Sequence, residues 1–242
     1  MKGKNILVTG ASSGIGYAFA KYASHQGATV FATARRVVNL DKLCEECEGE
    51  VYSIPFDLLN VQNMEDIFQF IVKQGKKLDA LVYCAGITGN EPMRTICPDT
   101  MKNVFNINYT AFIQMCKFFS KKKYSNNGAA IVGISSLATQ GFDKGSVSYT
   151  ASKAAMNSSI VIMAKEFVHR KIRVNGIAPN FVDTEMWRET ILSFEGKQEE
   201  IESMQKLGVI PCEQISYLIE FLISDRSEYI TGAIVPVTGG RL

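Results

Sequence analysis

Seven apolar runs of strand length recur along the chain, separated by longer stretches with helical spacing. The runs are 5–10 (NILVTG), 29–34 (TVFATA), 51–56 (VYSIPF), 78–86 (LDALVYCAG), 129–136 (AAIVGISS), 172–179 (IRVNGIAP) and 232–237 (GAIVPV). Helical patterns fill 15–21, 39–48, 60–74, 98–123, 148–169 and 212–223. Most of the runs are continuously apolar rather than alternating, which marks strands buried on both faces. Regular alternation of such strands with helices predicts an α/β fold: a doubly wound parallel sheet of about seven strands with helices on both faces. No composition shift, Gly/Ser-rich linker or internal repeat divides residues 1–242, so the chain reads as one domain. The segment 184–210 breaks the rhythm with Met186, Trp187, Ile191, Leu192 and Phe194 set among charges. It reads either as a substrate-loop insertion or as a plain amphipathic helix pair packed on the body.

Composition narrows the function classes. A formal net charge of +2 gives no basis for binding nucleic acid or an anionic membrane, and the short run Lys121-Lys122-Lys123 reads as a solvated helix end. No apolar stretch reaches the ~18 residues that span a bilayer. The six cysteines show no disulfide spacing, and MKGKNILVTG runs directly into a strand-like segment. Both features predict reduced thiols in a cytoplasmic protein. Cys44-x-x-Cys47 has no second pair, and His25 and His169 lie far from it in sequence, so no metal site is expected.

The stretch ILVTGASSGIGYAFA follows the first strand and opens a helix, with Gly10, Gly14 and Gly16 spaced G-x-x-x-G-x-G. Glycines allow the tight turn and the close backbone approach, and a helix N-terminus favours the pyrophosphate of a dinucleotide. The end of the second strand bears on which dinucleotide. An acid there would bind ribose hydroxyls and repel a 2′-phosphate, whereas this chain has Ala34 followed by Arg35 and Arg36. Guanidinium groups match phosphate oxygens in charge and geometry. The reading is NADP(H), with NAD(H) as runner-up if both arginines simply face water. Asp57 stands either to bind the adenine amino group or to cap the next helix.

In SVSYTASKAAM, Tyr149 and Lys153 lie one helical turn apart among small residues, on one face of a helix. Taken in order, T-G-x-x-x-G-x-G at 9–16, Cys84-Ala85-Gly86, Ser135-Ser136 and Tyr149-x-x-x-Lys153 closely resemble the classical short-chain dehydrogenase/reductase family. The likeness runs through IRVNGIAPNFVDTEM to YITGAIVPVTGG. It implies a Rossmann-like fold and a fourfold catalytic set. Tyr149 would exchange a proton with the substrate oxygen. Lys153 would stabilise the phenolate and hold the nicotinamide ribose. Ser136 rather than Ser135 would hydrogen-bond the substrate oxygen, and Asn108 rather than Asn106 would hold a proton-relaying water. The cofactor contacts it implies are Gly10, Ser12, Ser13, Gly14, Ile15, Gly16, Arg35, Arg36, Asp57, Leu58, Ala85, Gly86, Pro179, Val182 and Thr184, together with Tyr149 and Lys153.

The function implied is interconversion of a carbonyl and a secondary alcohol by hydride transfer. A catalytically silent NADP(H)-binding sensor or scaffold is the alternative, and the intact catalytic set argues against it. Relatives commonly pair the helix carrying Tyr149 and Lys153, which implies a homodimer or homotetramer. GGRL at 239–242 reads as part of a second interface or as a frayed end. Three departures stand out. Tyr83-Cys84 replace two asparagines, a change expected to alter packing rather than chemistry. Asn180 replaces glycine and is expected to keep the turn by taking left-handed backbone angles, or to offer its amide to substrate. Thr238 replaces an acid. The small-molecule substrate is expected to meet Asn90, Met93, Arg94, Gln140, Phe142, Lys144, Met186 and Trp187.

Overall fold

The computed structural model describes residues 1–141, 144–193 and 205–241, with backbone only for 190–193. Its sheet comprises β1 (Asn5–Thr9), β2 (Thr29–Ala34), β3 (Val51–Pro55), β4 (Leu78–Tyr83), β5 (Ser125–Ile134), β6 (Arg173–Pro179) and β7 (Ile234–Val237). The order is β3-β2-β1-β4-β5-β6-β7 and every pairing is parallel. The helices are α1 (Gly14–His25), α2 (Val37–Glu46), α3 (Glu65–Lys73), α4 (Pro98–Phe105), α5 (Ala111–Phe119), α6 (Ala138–Gly141), α7 (Val147–Phe167), α8 (Glu185–Ser193) and α9 (Cys212–Ile223). Among the described residues no helix is long and apolar enough to cross a membrane.

Alternate residues of each strand serve opposite faces, and both faces are apolar. Leu7, Phe31, Leu81 and Ile131 pack under α3, α5 and α7 through Phe68, Phe112 and Met156. Ile6, Val8, Val30 and Val82 pack under α1, α2 and α9 through Phe19, Leu40 and Ile219. This two-sided burial explains the unbroken apolar runs in the sequence.

Two boundaries differ from the sequence reading. β5 starts at Ser125 because the register slips between Leu78 and Ala80, which pair with Ser125 and Ala130. The polar Asn126 there is paired with Asp79 at 2.8 Å, so SNNG does not look like a strand. The single helix expected over 98–123 is two helices joined by a π-helical turn, Asn106–Thr110.

The chain leaves β1 towards β2 and β3, then crosses back to place β4 on the other side of β1. Loops after β1 and β4 therefore diverge, and the crevice between them at the carboxyl ends of the strands is where such sheets bind ligands. Phe68 is fully buried among Phe118 and Tyr124, with ring centroids 5.7 and 5.3 Å away. Phe68→Ala is expected to cost ~3–5 kcal/mol of stability, read as a lower denaturant midpoint with an unchanged slope.

Candidate active site

The turn after β1 is shaped by two glycines. Gly10 has φ +66°, and a Cβ there would lie 2.8 Å from the Ala85 nitrogen. A Cβ on Gly16 would lie 2.5 Å from the Gly10 carbonyl oxygen. The first loop thus closes directly onto the loop after β4, where the Ala85 N–H donates to Thr9 Oγ1 at 3.2 Å. Ser13 makes no side-chain capping bond at the start of α1. The first-turn N–H groups there retain the unmet donors that bind anions. A cavity of about 830 Å³ opens above this turn, and every residue the resemblance assigns to the cofactor lines it.

At the adenosine end, Arg35 and Arg36 follow β2 directly and are exposed. Arg36 pairs with Glu185 across the cavity mouth at 2.8 Å and donates to Ser12 Oγ at 3.3 Å. Asp57 Oδ1 accepts from the Leu59 N–H at 3.0 Å. It stabilises its own turn rather than capping α3, which begins eight residues later at Glu65. Thr184 Oγ1 accepts from the Trp187 N–H at 3.1 Å and caps α8. Val182 pairs with Ile210, which brings the two ends of the 184–210 segment side by side. Residues 194–204 of that segment, including Phe194, lie outside the described residues, as does Phe142; for Ile191 and Leu192 only the backbone is described.

At the opposite end, Ser136 leaves β5 while Tyr149 and Lys153 occupy successive turns of α7. Ser136 and Tyr149 are half-buried and open to the cavity; Ser135 also lines it but is buried. Lys153 is 3% exposed; its Nζ donates to the Ile134 carbonyl at 2.7 Å and lies 5.8 Å from the Tyr149 ring centroid. Burial pushes the Lys153 ammonium down to about 8. Burial raises the Tyr149 phenol above its ordinary value, with the Ser136 hydroxyl acting in the opposite direction. The sequence reading expected Lys153 to draw the phenol down. Here desolvation dominates and Tyr149 is a neutral acid at pH 7.

Asn108 is fully buried and does not line the cavity. Its Oδ1 accepts from the Ile87 N–H at 2.9 Å, and its Nδ2 donates to the Ile87 carbonyl and to Ser152 Oγ, both at 3.0 Å. One amide thereby ties the exit of β4 to α7, and Asn106, half-buried, makes no such bonds.

The short chain dehydrogenase family matches residues 4–193. The chain belongs to that family. It is 32% identical over 244 residues to the 3-oxoacyl-[acyl-carrier-protein] reductase FabG of Thermotoga maritima, covering 99% of this chain and 98% of that one. It is 31% identical over 244 residues to the L-xylulose reductase of Bos taurus, covering 100% and 98%. A short-chain type dehydrogenase/reductase from Mycobacterium ulcerans shares the fold with a TM-score of 0.92 at 23% identity, covering 100% of this chain and 90% of that chain.

As a short-chain dehydrogenase the protein is an oxidoreductase, and its departures from the family pattern have specific partners. Asn180 is not left-handed; among the described residues Lys171 is the sole non-glycine with positive φ. The Asn180 amide is engaged within the protein, its Nδ2 donating to Gln205 Oε1 at 2.6 Å and its Oδ1 accepting from Arg241 at 3.3 Å. Thr238 Oγ1 accepts from the Gly240 N–H at 3.2 Å. Of the expected substrate residues, Asn90, Lys144, Met186 and Trp187 line the cavity, while Met93, Arg94 and Gln140 do not. Arg241 lines it too, and the sequence reading missed it. The usable signal was topological: in a parallel sheet, whatever follows β7 emerges at the site edge.

Tyr83 is the most consequential departure. It is fully buried, and its hydroxyl donates to the Ile107 carbonyl at 2.5 Å. The π-helical turn shifts backbone pairing, with the Ala111 N–H reaching Asn106. Such turns disturb the normal i→i−4 ladder, and Tyr83 supplies a donor to the carbonyl beside Asn108. Tyr83→Phe keeps the ring and leaves that acceptor without its side-chain donor. The expected cost is ~1–3 kcal/mol in chemical denaturation, with dinucleotide binding retained.

Proposed function

We propose that this chain is an NADP(H)-dependent reductase that interconverts a carbonyl and a secondary alcohol, built as one dinucleotide-binding domain over residues 1–242. The observation that carries the reading is the convergence of Ser136, Tyr149 and Lys153 on the cavity whose far end is lined by Arg35 and Arg36. The glycine turn and the α1 N-terminus fit a pyrophosphate, and no acid follows β2 to repel a 2′-phosphate. When bound, the nicotinamide supplies or accepts the hydride. Tyr149 gives its proton to the carbonyl oxygen, a role suited to a phenol held neutral. Ser136 donates a hydrogen bond to the same oxygen as negative charge develops on it. Lys153, buried and cationic below about pH 8, favours that developing charge and the phenolate left behind. Asn108 fixes the wall behind Lys153 through Ile87 and Ser152, as a positioning residue.

The relatives' printed activities support carbonyl reduction. Val147, Val161 and Ile162, exposed on α7, support pairing of two copies along that helix. Six free thiols support a reducing, cytoplasmic setting.

Titration with NADPH and NADH, read by quenching of Trp187, tests the cofactor. NADPH is expected to bind tighter, and Arg35→Asp to weaken it by ~10–100-fold while leaving NADH less affected. Equal affinity for both in the parent protein would refute the arginine argument. The pH dependence tests the acid–base set. Reduction requires a protonated Tyr149 and a charged Lys153, so kcat/KM for reduction should fall as pH rises through about 8, where Lys153 loses its proton. A profile flat to well above that value counts against the role given to Lys153.

A further inference from the structure

The two arginines after β2 are not equivalent. Among the described residues no carboxylate pairs with Arg35. Arg36 Nη1, by contrast, meets Glu185 Oε2 at 2.8 Å, and its Nε donates to Ser12 Oγ at 3.3 Å. One of the two guanidinium groups at the adenosine end is therefore already engaged by an anion. That anion comes from α8, 149 positions further along the chain, and lines the same cavity as both arginines. The backbone under Glu185 is well anchored. Thr184 caps α8 through the Trp187 N–H at 3.1 Å, and a Cβ on Gly14 would lie 3.1 Å from Thr184 Cγ2, so the start of α8 rests on the glycine turn. Arg36 is tied to the same turn, since it opens α2 and the Asn39 amide donates to the Ser12 carbonyl at 2.9 Å. The two side chains themselves are about half exposed, 48% for Arg36 and 53% for Glu185, and an ion pair in that setting is weak and easily exchanged. Glu185 also has a second place for its charge, because it lies in the first turn of α8, where a helix favours an acid.

A phosphate on the adenosine ribose carries roughly two negative charges and three acceptor oxygens, against one charge and two oxygens for a carboxylate, so it is the stronger partner for a guanidinium. Ribose hydroxyls bring no charge to compete with. We propose that Glu185 is a specificity-determining residue: it holds Arg36 by the contact a 2′-phosphate would take, and the phosphate must displace it. Glu185 thus lowers the affinity for NADP(H) and leaves that for NAD(H) unchanged. This rests on the NADP(H) reading of Arg35 and Arg36, and adds an acid that works against it. No acid stands at the end of β2; this one enters from across the cavity mouth.

The test is calorimetric titration of the full chain with NADPH and NADH at low ionic strength, using Glu185→Gln, Arg36→Gln and the double variant. Heat is read rather than Trp187 fluorescence because Trp187 lies close to the substitution. Glu185→Gln is expected to tighten NADPH about 2–5-fold, the range of an exposed ion pair, and to leave NADH within about twofold. The gain should shrink as salt is raised, and it should vanish in the Arg36→Gln background, where there is no guanidinium to release. Unchanged NADPH binding in Glu185→Gln, or an equal gain for NADH, would overturn the proposal. Weaker NADPH binding would overturn it too, by showing that Glu185 aims Arg36 at the phosphate. So would an equal gain with Arg36 already removed, since the carboxylate would then act by repulsion alone. Unchanged circular dichroism shows in each case that the variant is folded. Arg35→Asp tells the two failures apart. If neither it nor Arg36→Gln weakens NADPH, the NADP(H) assignment fails and the competition falls with it; if either does, the Glu185→Gln result alone decides.

Discussion

The parallel alignment of all seven strands is the constraint on which the site depends. It sends every strand's carboxyl end to one edge, so loops from β1, β2, β3, β4, β5, β6 and the tail after β7 meet there although they are far apart in sequence. The reversal of strand order between β1 and β4 then keeps two of those loops from filling the gap between them. What remains is a narrow seam, and the 2.8 Å that separates a Cβ on Gly10 from the Ala85 nitrogen measures how narrow. A cofactor seated on that seam needs backbone on both sides, which is why small residues, rather than charged ones, occur there.

Burial sorts the chemical groups by task. Ser136 and Tyr149 are half-exposed and reach the cavity, Lys153 lines it from a buried position, and Asn108 lies behind them. The buried pair is the more demanding, because an amide and an ammonium removed from water must find partners. Asn108 finds Ile87 twice and Ser152 once, and Lys153 finds the Ile134 carbonyl. The π-helical turn that carries Asn108 adds its own requirement, met by the Tyr83 hydroxyl. Losing an asparagine at position 83 therefore does not empty the site of polar support. A different side chain reaches a different backbone group and holds the same turn.

Much of this was legible in the chain. Continuous apolar runs gave the two-sided sheet because each strand residue has a buried face to serve, and six of the seven strand starts lie within two residues of the expected position. Ser136, Tyr149 and Lys153 were readable because spacing along a helix and position after a strand are local facts. What escaped was non-local. The start of β5 was hidden by polar residues whose partners, Asp79 and Arg170, come from other elements. The π-helical turn has no propensity signature, since it depends on what Tyr83 and Asn108 touch. Asn180 reads from the sequence as a left-handed turn residue or as an amide offered to substrate, whereas its amide is taken up by the side chains of Gln205 and Arg241.

The same distinction bears on specificity. Residues that do chemistry must meet a cofactor of fixed shape, so their types and spacings are constrained by that shape. Cavity lining outside that set comes from the β6–α8 turn and the C-terminal tail, and the 205–210 segment is joined to both. These three pieces are bound into one wall: Val182 pairs with Ile210, the Leu207 N–H donates to the Gly239 carbonyl at 2.8 Å, and Arg241 reaches Asn180. A change in any one of them alters the support of the other two. Glycine replaced by Asn180 in isolation would leave an amide in the cavity seeking a partner. With Gln205 on one side and Arg241 on the other, both polar ends of that amide are satisfied within the protein.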